Sequence, residues 1–318
     1  MDTPELWNKF MLSSWVSLRH RMKEAEQWLR LSRTLPFQLD ISMPMLQRPA
    51  SPWLTWPLFG NTTLFRLGVQ RLAIVIKLPS RMAGPRGTSP LLCTDAPHLQ
   101  TLQLLVCGNA KTRPVNLIGS HPRLRAVSVK HNHHLFPPGI FDLRWHQLTF
   151  LELALGQDIY PRLDRREPQS YTSNVVQLLS RCPSLVTCSV FMLGHIYLSH
   201  PSIQLPQLQS LHITILGRKV NSRGPPIPKA VPTCPQFFDL LTCPSLTTFA
   251  FDFKYLDRSG HPLYATPFPE GSLLSFLTRY AGTLRRLKFT GYPLQREPIM
   301  RIFQSQGIVE PLVEWLDN

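Results

Sequence analysis

Three imidazoles within four residues, His131, His133 and His134 around Asn132, form the densest set of possible metal ligands in the chain. Clustered imidazoles suit a transition metal. They follow directly on the strand-like Val127 and Val129, where the chain is expected to turn, and neither carboxylate nor cysteine lies close by in sequence. They read as solvent-facing turn histidines. The six cysteines (Cys93, Cys107, Cys182, Cys188, Cys234 and Cys243) include no C-x-x-C pair, so neither a zinc nor a disulfide framework is indicated. The 19 carboxylates form no pair at catalytic spacing beyond ordinary salt-bridge candidates such as Asp164 with Arg165. G-x-S-x-G, Gly-rich phosphate-loop and H-E-x-x-H patterns are absent from the sequence. These residues point to a non-enzyme with no metal and no cofactor.

What remains is binding, and the residues that could do it lie between regularly spaced apolar positions. The pattern Leu-x-x-Leu-x-Leu, or an apolar variant, occurs eight times. The copies are Val69/Leu72/Ile74, Leu99/Leu102/Leu104, Leu124/Val127/Val129, Leu148/Leu151/Leu153, Leu185/Cys188/Val190, Leu208/Leu211/Ile213, Leu246/Phe249/Phe251 and Leu284/Leu287/Phe289. Successive copies start 23 to 38 residues apart. The shorter intervals match leucine-rich repeats and the longer ones leave room for inserted loops. Within each copy the second and third apolar residues alternate as on a strand with one buried face. A single such strand cannot bury that face, but stacked parallel copies share one continuous core.

Pro97, Pro122, Pro183, Pro206 and Pro244 each stand two residues before the first leucine of their copy. Proline cannot continue a helix, so it separates a preceding helix or turn from the coming strand. Apolar helical segments precede several copies, at residues 175–179, 237–241 and 273–277, and Gly282 is expected to end the last of these. The repeat consensus also wants Asn or Cys three residues after its third apolar position. Cys107 and Asn132 meet this, whereas Gly156, Leu193, Leu216, Lys254 and Tyr292 do not. The expected fold is α/β: an irregular leucine-rich-repeat solenoid, with parallel strands on a concave face, helices and turns on a convex face, and an N-terminal helical cap.

The ends differ in character. Residues 15–32 read as an amphipathic helix that Pro36 terminates. Leu35, Phe37, Leu39 and Ile41 then alternate as a strand suited to covering the open end of the stack. Residues 42–63, rich in Pro and Trp, read as a loop or short turn-rich helix, and residues 299–303 and 308–316 as terminal helices.

No apolar run approaches the roughly 20 residues of a membrane span. The start Met1-Asp2-Thr3-Pro4-Glu5 is not a signal peptide. A cytoplasmic or nuclear location is expected. The net charge of +15 is the strongest compositional clue, because a basic patch attracts nucleic acid or acidic partners. Yet the basic residues are scattered, with Arg19 and Arg21 early, Arg162, Arg165 and Arg166 in one insertion, and Arg218, Lys219 and Arg223 in another. No aromatic-interleaved stripe accompanies them, which argues for a solvated basic surface over a nucleic-acid partner.

Thr3-Pro4-Glu5-Leu6-Trp7 resembles the T-P-x-L-W close of an F-box, and the stretch from Trp28 to Leu39 resembles the W-L-x-R-S-x-x-x-P-L-x-L segment that follows it in fungal F-box/leucine-rich-repeat proteins. Irregular repeats with C-P-x-L and P-x-L-x-x-L-x-L continue that likeness across nearly the whole chain. The resemblance implies the substrate-recognition part of an adaptor for a cullin–RING ubiquitin ligase. The L-P-x-E-I/L helix that opens the family's F-box is missing from this sequence, so a Skp-type adaptor is an expected partner only if an upstream F-box exists. Residues 1–34 would be an F-box tail remnant and helix, and residues 35–318 the repeat domain. The alternative is a stand-alone basic repeat scaffold or nucleic-acid-associated protein with no ligase connection.

In such a solenoid the residues between the leucines project from the concave sheet toward a protein partner. The candidate partner-binding set is Arg71, Gln103, Ser128, Phe150, Glu152, Ser189, His212, Asp252, Arg286 and Lys288, with Phe150, His212, Arg286 and Lys288 expected to dominate. On this register Leu151→Asp buries an unpaired charge and should abolish folding. A soluble Leu151→Asp variant with a cooperative thermal melt would overturn the register.

Overall fold

Five of the repeats open on a tight turn, and the turn explains the spaced prolines. In the computed structural model the N–H of Leu99 donates to the Ala96 carbonyl (3.1 Å), Leu124 to His121 (3.2 Å), Leu185 to Cys182 (3.3 Å), Leu208 to Leu205 (3.2 Å) and Leu246 to Cys243 (3.1 Å). Proline is the second residue of all five turns, where its fixed φ suits the turn. The residue before it (Ala96, His121, Cys182, Leu205 or Cys243) is buried. A fourth copy, at Leu148, lacks the proline and uses a single 3₁₀ turn, Trp145–Gln147, with the Leu148 N–H on the Trp145 carbonyl (3.2 Å).

The structure describes residues 9–12, 27, 37–44, 69–77, 91–93, 96–107, 116–118, 121–131, 143–155, 168–193, 202–218, 235–256, 270–290, 296–305 and 312–316. It is mixed α/β and divides into two compact units, Met1–Arg162 and Leu163–Asn318.

The first unit contains β1 (Lys9–Leu12), β2 (Phe37–Pro44), β3 (Val69–Lys77), β4 (Leu91–Cys93), β5 (Thr101–Cys107), β6 (Asn116–Ile118), β7 (Ala126–His131) and β8 (Phe150–Leu155). Strands β1, β2, β3, β5, β7 and β8 pair in that order, all parallel. The short β4 and β6 pair with each other. Leu72, Leu102, Val127 and Leu151 stand in lateral register, followed two residues on by Ile74, Leu104, Val129 and Leu153. Leu102, Leu104, Val127, Val129, Leu151 and Leu153 are all buried, as are Leu99, Leu124 and Leu148.

The second unit contains α1 (Pro168–Leu179), β9 (Thr187–Leu193), β10 (Ile203–Gln204), β11 (Ser210–Arg218), α2 (Pro235–Leu240), β12 (Leu241–Thr242), β13 (Thr248–Leu256), α3 (Glu270–Tyr280), β14 (Arg286–Thr290), α4 (Arg296–Ser305) and β15 (Leu312–Leu316). Strands β9, β11, β13, β14 and β15 pair in parallel, and β10 pairs with β12. The row Cys188, Leu211, Phe249, Leu287 is in register and buried, as is the row Val190, Ile213, Phe251, Phe289.

Between repeats the backbone makes one recurring link. The Arg125 carbonyl accepts the N–H groups of Thr149 (2.9 Å) and Phe150 (3.1 Å); the Gln209 carbonyl accepts those of Thr247 and Thr248, both at 2.9 Å. The Gln100, Val186 and Thr247 carbonyls each take two N–H groups in the same way. The second N–H of each pair belongs to the first residue of its strand, so the link fixes the register where the strand begins.

Helices cover the apolar side where the intervals are long. In α1, Thr172, Val175, Val176 and Leu179 are buried, and in α3, Leu273, Phe276, Leu277 and Tyr280 are, both at the i, i+3, i+4, i+7 spacing of one helix face. Prolines begin α1 and α2, where the missing N–H has no intrahelical partner to lose. Phenylalanines fill the interior: the Phe276 ring lies 5.3 Å from both Phe238 and Phe249, and 4.9 Å from Tyr280, centroid to centroid. The Tyr280 hydroxyl accepts the Cys243 N–H (3.0 Å) and donates to the Leu241 carbonyl (3.1 Å), tying α3 to the turn of the preceding repeat. Arg279 donates to the Phe238 and Leu241 carbonyls at the end of α2.

Several expectations change. Residues 312–316 form β15, a strand beside β14, not a helix. Leu-Val-Glu-Trp-Leu alternates with period two, and Trp315 stacks on Phe289 with centroids 5.0 Å apart. Gly282 does not end α3 as a left-handed cap, because its φ lies outside the positive region. The end is closed by Thr283, whose N–H (2.9 Å) and Oγ1 (3.1 Å) both donate to the Tyr280 carbonyl. Strand β2 does not cover the end of the sheet, because β1 pairs along its other edge. β1 was not legible in the sequence, and it lies before residue 35. The consensus turn positions Cys107, Leu193, Leu216 and Lys254 lie within β5, β9, β11 and β13, whose strands run longer than the consensus. β7 likewise runs through His131; Asn132, His133 and His134 lie outside the described residues, as does the segment expected to be an N-terminal helix apart from Gln27.

Cys182, Cys188 and Cys243 are free and buried. Loss of hydration on burial pushes the Cys182 and Cys243 thiols up to about 12, against smaller opposing effects of Arg181 and Arg279 respectively. At about pH 8 the folded protein should therefore leave Cys182 and Cys243 unmodified by iodoacetamide, whereas the urea-unfolded chain alkylates them. Mass mapping of alkylated peptides reads this directly. Tyr280→Phe should cost about 1–3 kcal/mol in urea unfolding, because it strands the buried Cys243 N–H. An unchanged midpoint and slope would remove the hydroxyl from the structural account.

Candidate functional site

Opposite the apolar side, each unit presents the alternate residues of its strands. Strand geometry sends them to the other face of the sheet, and the common register aligns them in rows. In the first unit one row is Arg71, Thr101, Ala126 and Phe150; the next is Ala73, Gln103, Ser128 and Glu152. In the second unit one row is Thr187, Ser210, Thr248 and Arg286; the next is Ser189, His212, Ala250, Lys288 and Glu314.

Two polar clusters form on these faces. In the first unit the Ser128 hydroxyl donates to Glu152 Oε2, directly across from it, and Lys130 Nζ lies 3.3 Å from Glu152 Oε1. Ser128 is buried at 7% exposure, so its hydroxyl serves Glu152 more than a partner. Lys130 is half exposed.

In the second unit three strands meet at one imidazole. His212 Nδ1 lies 3.2 Å from Ser189 Oγ on β9, and its Nε2 lies 2.9 Å from Asp252 Oδ2 on β13. Ser189 is directly across from His212, whereas Asp252 is across from Thr214, so the imidazole reaches diagonally to the carboxylate. The His212 side chain retains 38% exposure and that of Asp252 14%. An ionised carboxylate only accepts, so Nε2 carries the proton in the bond to Asp252. In the neutral ring Nδ1 is then the acceptor and the Ser189 hydroxyl the donor.

Ser, His and Asp in one line invite comparison with a hydrolytic triad. The geometry differs in two respects. The serine meets Nδ1 and the carboxylate Nε2, the reverse of that template. The N–H groups of β9, β11 and β13 also lie in the plane of the sheet, where the parallel ladder uses them, while an oxyanion needs donors directed toward the reacting atom. The arrangement orients and presents side chains.

Lys288 Nζ lies 3.9 Å from Glu314 Oε2 across to β15. Arg71, Gln103 and Arg286 are exposed and Phe150 half-buried on the same faces, and among the described residues no ion pair joins them to either cluster. The structure thus gathers Ser128 with Glu152, Ser189 with His212 and Asp252, and Lys288 with Glu314, and leaves Arg71, Gln103, Phe150 and Arg286 as separate points. The sequence reading omitted two participants. Lys130 follows Ser128 by two residues, so continuing the alternation one step past the consensus would have found it. Glu314 was hidden by the helical reading of its segment.

Among the described residues no group of three or more His, Cys, Asp and Glu is placed to hold a metal ion, and no helix is long and apolar enough to cross a membrane. Comparison with known proteins finds no matching family model, no matching curated protein and no matching solved structure.

Proposed function

We propose that the chain is a non-enzymatic leucine-rich-repeat recognition module that binds a protein partner on the polar face of its parallel strands. The observation that carries this reading is the lateral alignment of each unit: apolar residues in register on one side, and on the other, rows of hydroxyl, imidazole, carboxylate and basic side chains held at strand spacing. Rigid sheets with mixed polar rows suit protein surfaces, because complementary polarity selects the partner and rejects mismatched ones. The repeated turn, with proline ahead of the first leucine, supports the solenoid assignment.

Within this reading, the short motifs at residues 3–7 and 28–39 favour a role as the substrate-recognition part of a ubiquitin ligase adaptor. Those motifs lie almost entirely outside the described residues, so this rests on sequence resemblance. The test is affinity capture of the full chain from its native extract, compared with the Arg286→Glu/Lys288→Glu variant, with thermal melting as the control for folding. The expected result is a reproducible partner whose recovery falls at least about tenfold with the variant, the effect of losing one or two dominant side chains. A Skp-type adaptor and a cullin in the same capture support the ligase role, and the partner alone supports a module working outside it. Equal recovery with a folded variant overturns recognition on this face of the second unit.

A further inference from the structure

We propose that Ser189, His212 and Asp252 form a proton-operated polarity switch on the polar face of the second unit. The inference rests on the recognition reading for its purpose, while its chemistry follows from two distances: 3.2 Å between Ser189 Oγ and His212 Nδ1, and 2.9 Å between His212 Nε2 and Asp252 Oδ2.

With a neutral ring, Asp252 fixes the proton on Nε2. Nδ1 is left as an acceptor, and the Ser189 hydroxyl turns its hydrogen inward to satisfy it. The remaining Ser189 lone pairs then face outward, and the serine offers a partner an acceptor. When the ring takes a proton from solvent at Nδ1, both ring nitrogens become donors. Nδ1–H now donates to Ser189 Oγ, so the hydroxyl hydrogen must turn away from the ring. The same serine offers a donor, and the row gains a positive charge. One proton thereby inverts the hydrogen-bond sense of a neighbouring residue without moving a strand.

Among the described residues, the groups around the ring are these. Facing His212 are Ser189 from β9, and Asp252 and the neutral Ala250 from β13. Along the same row stand Lys288 of β14, paired with Glu314 of β15, and one row over stands Arg286. Ala250 separates the imidazole from Lys288 in that row, and Asp252 places a carboxylate in direct hydrogen-bonded contact with the ring. The 38% exposure of the His212 side chain gives solvent protons access.

The switch can be tested without a partner, so its failure and that of the recognition reading are separate. Long-range proton–nitrogen NMR of the full chain reports which imidazole nitrogen carries hydrogen. In the neutral ring, His212 should show Nε2–H in at least a tenfold excess over Nδ1–H. Asp252→Ala should cut that excess by about tenfold, and Asp252→Asn, whose amide both donates and accepts, should also reduce it. Once acid has protonated the ring, both nitrogens carry hydrogen, and Ser189→Ala should shift the Nδ1–H resonance by removing its acceptor. A predominant Nδ1–H form of the neutral ring, or an excess indifferent to both Asp252 variants, overturns the proposal. So does an Nδ1–H resonance unmoved by Ser189→Ala.

Discussion

Lateral register between parallel strands is the constraint on which each unit depends. Side chains alternate between faces with period two, so a slip of one residue would carry an entire apolar row to the polar side. Here the register is secured where these strands begin. A turn closes on the first leucine, and one carbonyl of each repeat then accepts two successive N–H groups of the next. Thr149 and Thr247 add their hydroxyls to the same carbonyls, Arg125 and Gln209, at 3.3 and 3.0 Å. The proline of the turn restricts the unfolded chain as well as the folded one, so it favours this junction through entropy. Each large apolar residue brought into the row by that register then contributes roughly 1.5–3 kcal/mol by burial.

The polar clusters are consequences of the same register. Ser128 stands beside Glu152, and Ser189 beside His212, because their strands are aligned residue for residue. A slip of one residue would separate each pair and turn a carboxylate or imidazole toward the apolar rows. The energetic requirement of the core and the geometry of the polar face therefore reinforce each other. Exchanging a face residue changes what is presented, whereas exchanging a core residue endangers the alignment of every row beside it.

Much of this was legible in the residues. The copies from Leu99 onward place their apolar triads in buried positions, and the helices before Cys182, Cys243 and Leu284 fall where apolar spacing put them. Pattern failed where the decisive partner is distant in sequence. Residues 312–316 carry the alternation of a strand, but only the open edge of β14 and the Phe289 ring select that state over a helix. β1 is four residues long, too short for a periodic signal, and is defined by its pairing with β2. The candidate residues were found by alternation alone. Their grouping was not, because the diagonal reach from His212 to Asp252 crosses 40 positions of sequence and depends on the inserted segment between β11 and β13 leaving those strands adjacent.

If this face serves the proposed recognition role, it differs from one made of free side chains. Long exposed residues lose rotamer freedom when a partner immobilises them, at about 0.5–1.5 kcal/mol each. Glu152 and His212 are already restrained by neighbours on adjacent strands, so part of that ordering is complete before binding. The restraint also removes choices. An imidazole committed to a carboxylate on one side and a hydroxyl on the other offers a partner a single hydrogen-bonding sense at a given protonation state. The face should consequently discriminate by the pattern of donors and acceptors more than by net charge, even though the chain as a whole carries +15. On the proposed recognition reading, charge would bring acidic molecules near the surface, while the aligned rows would decide which of them fits.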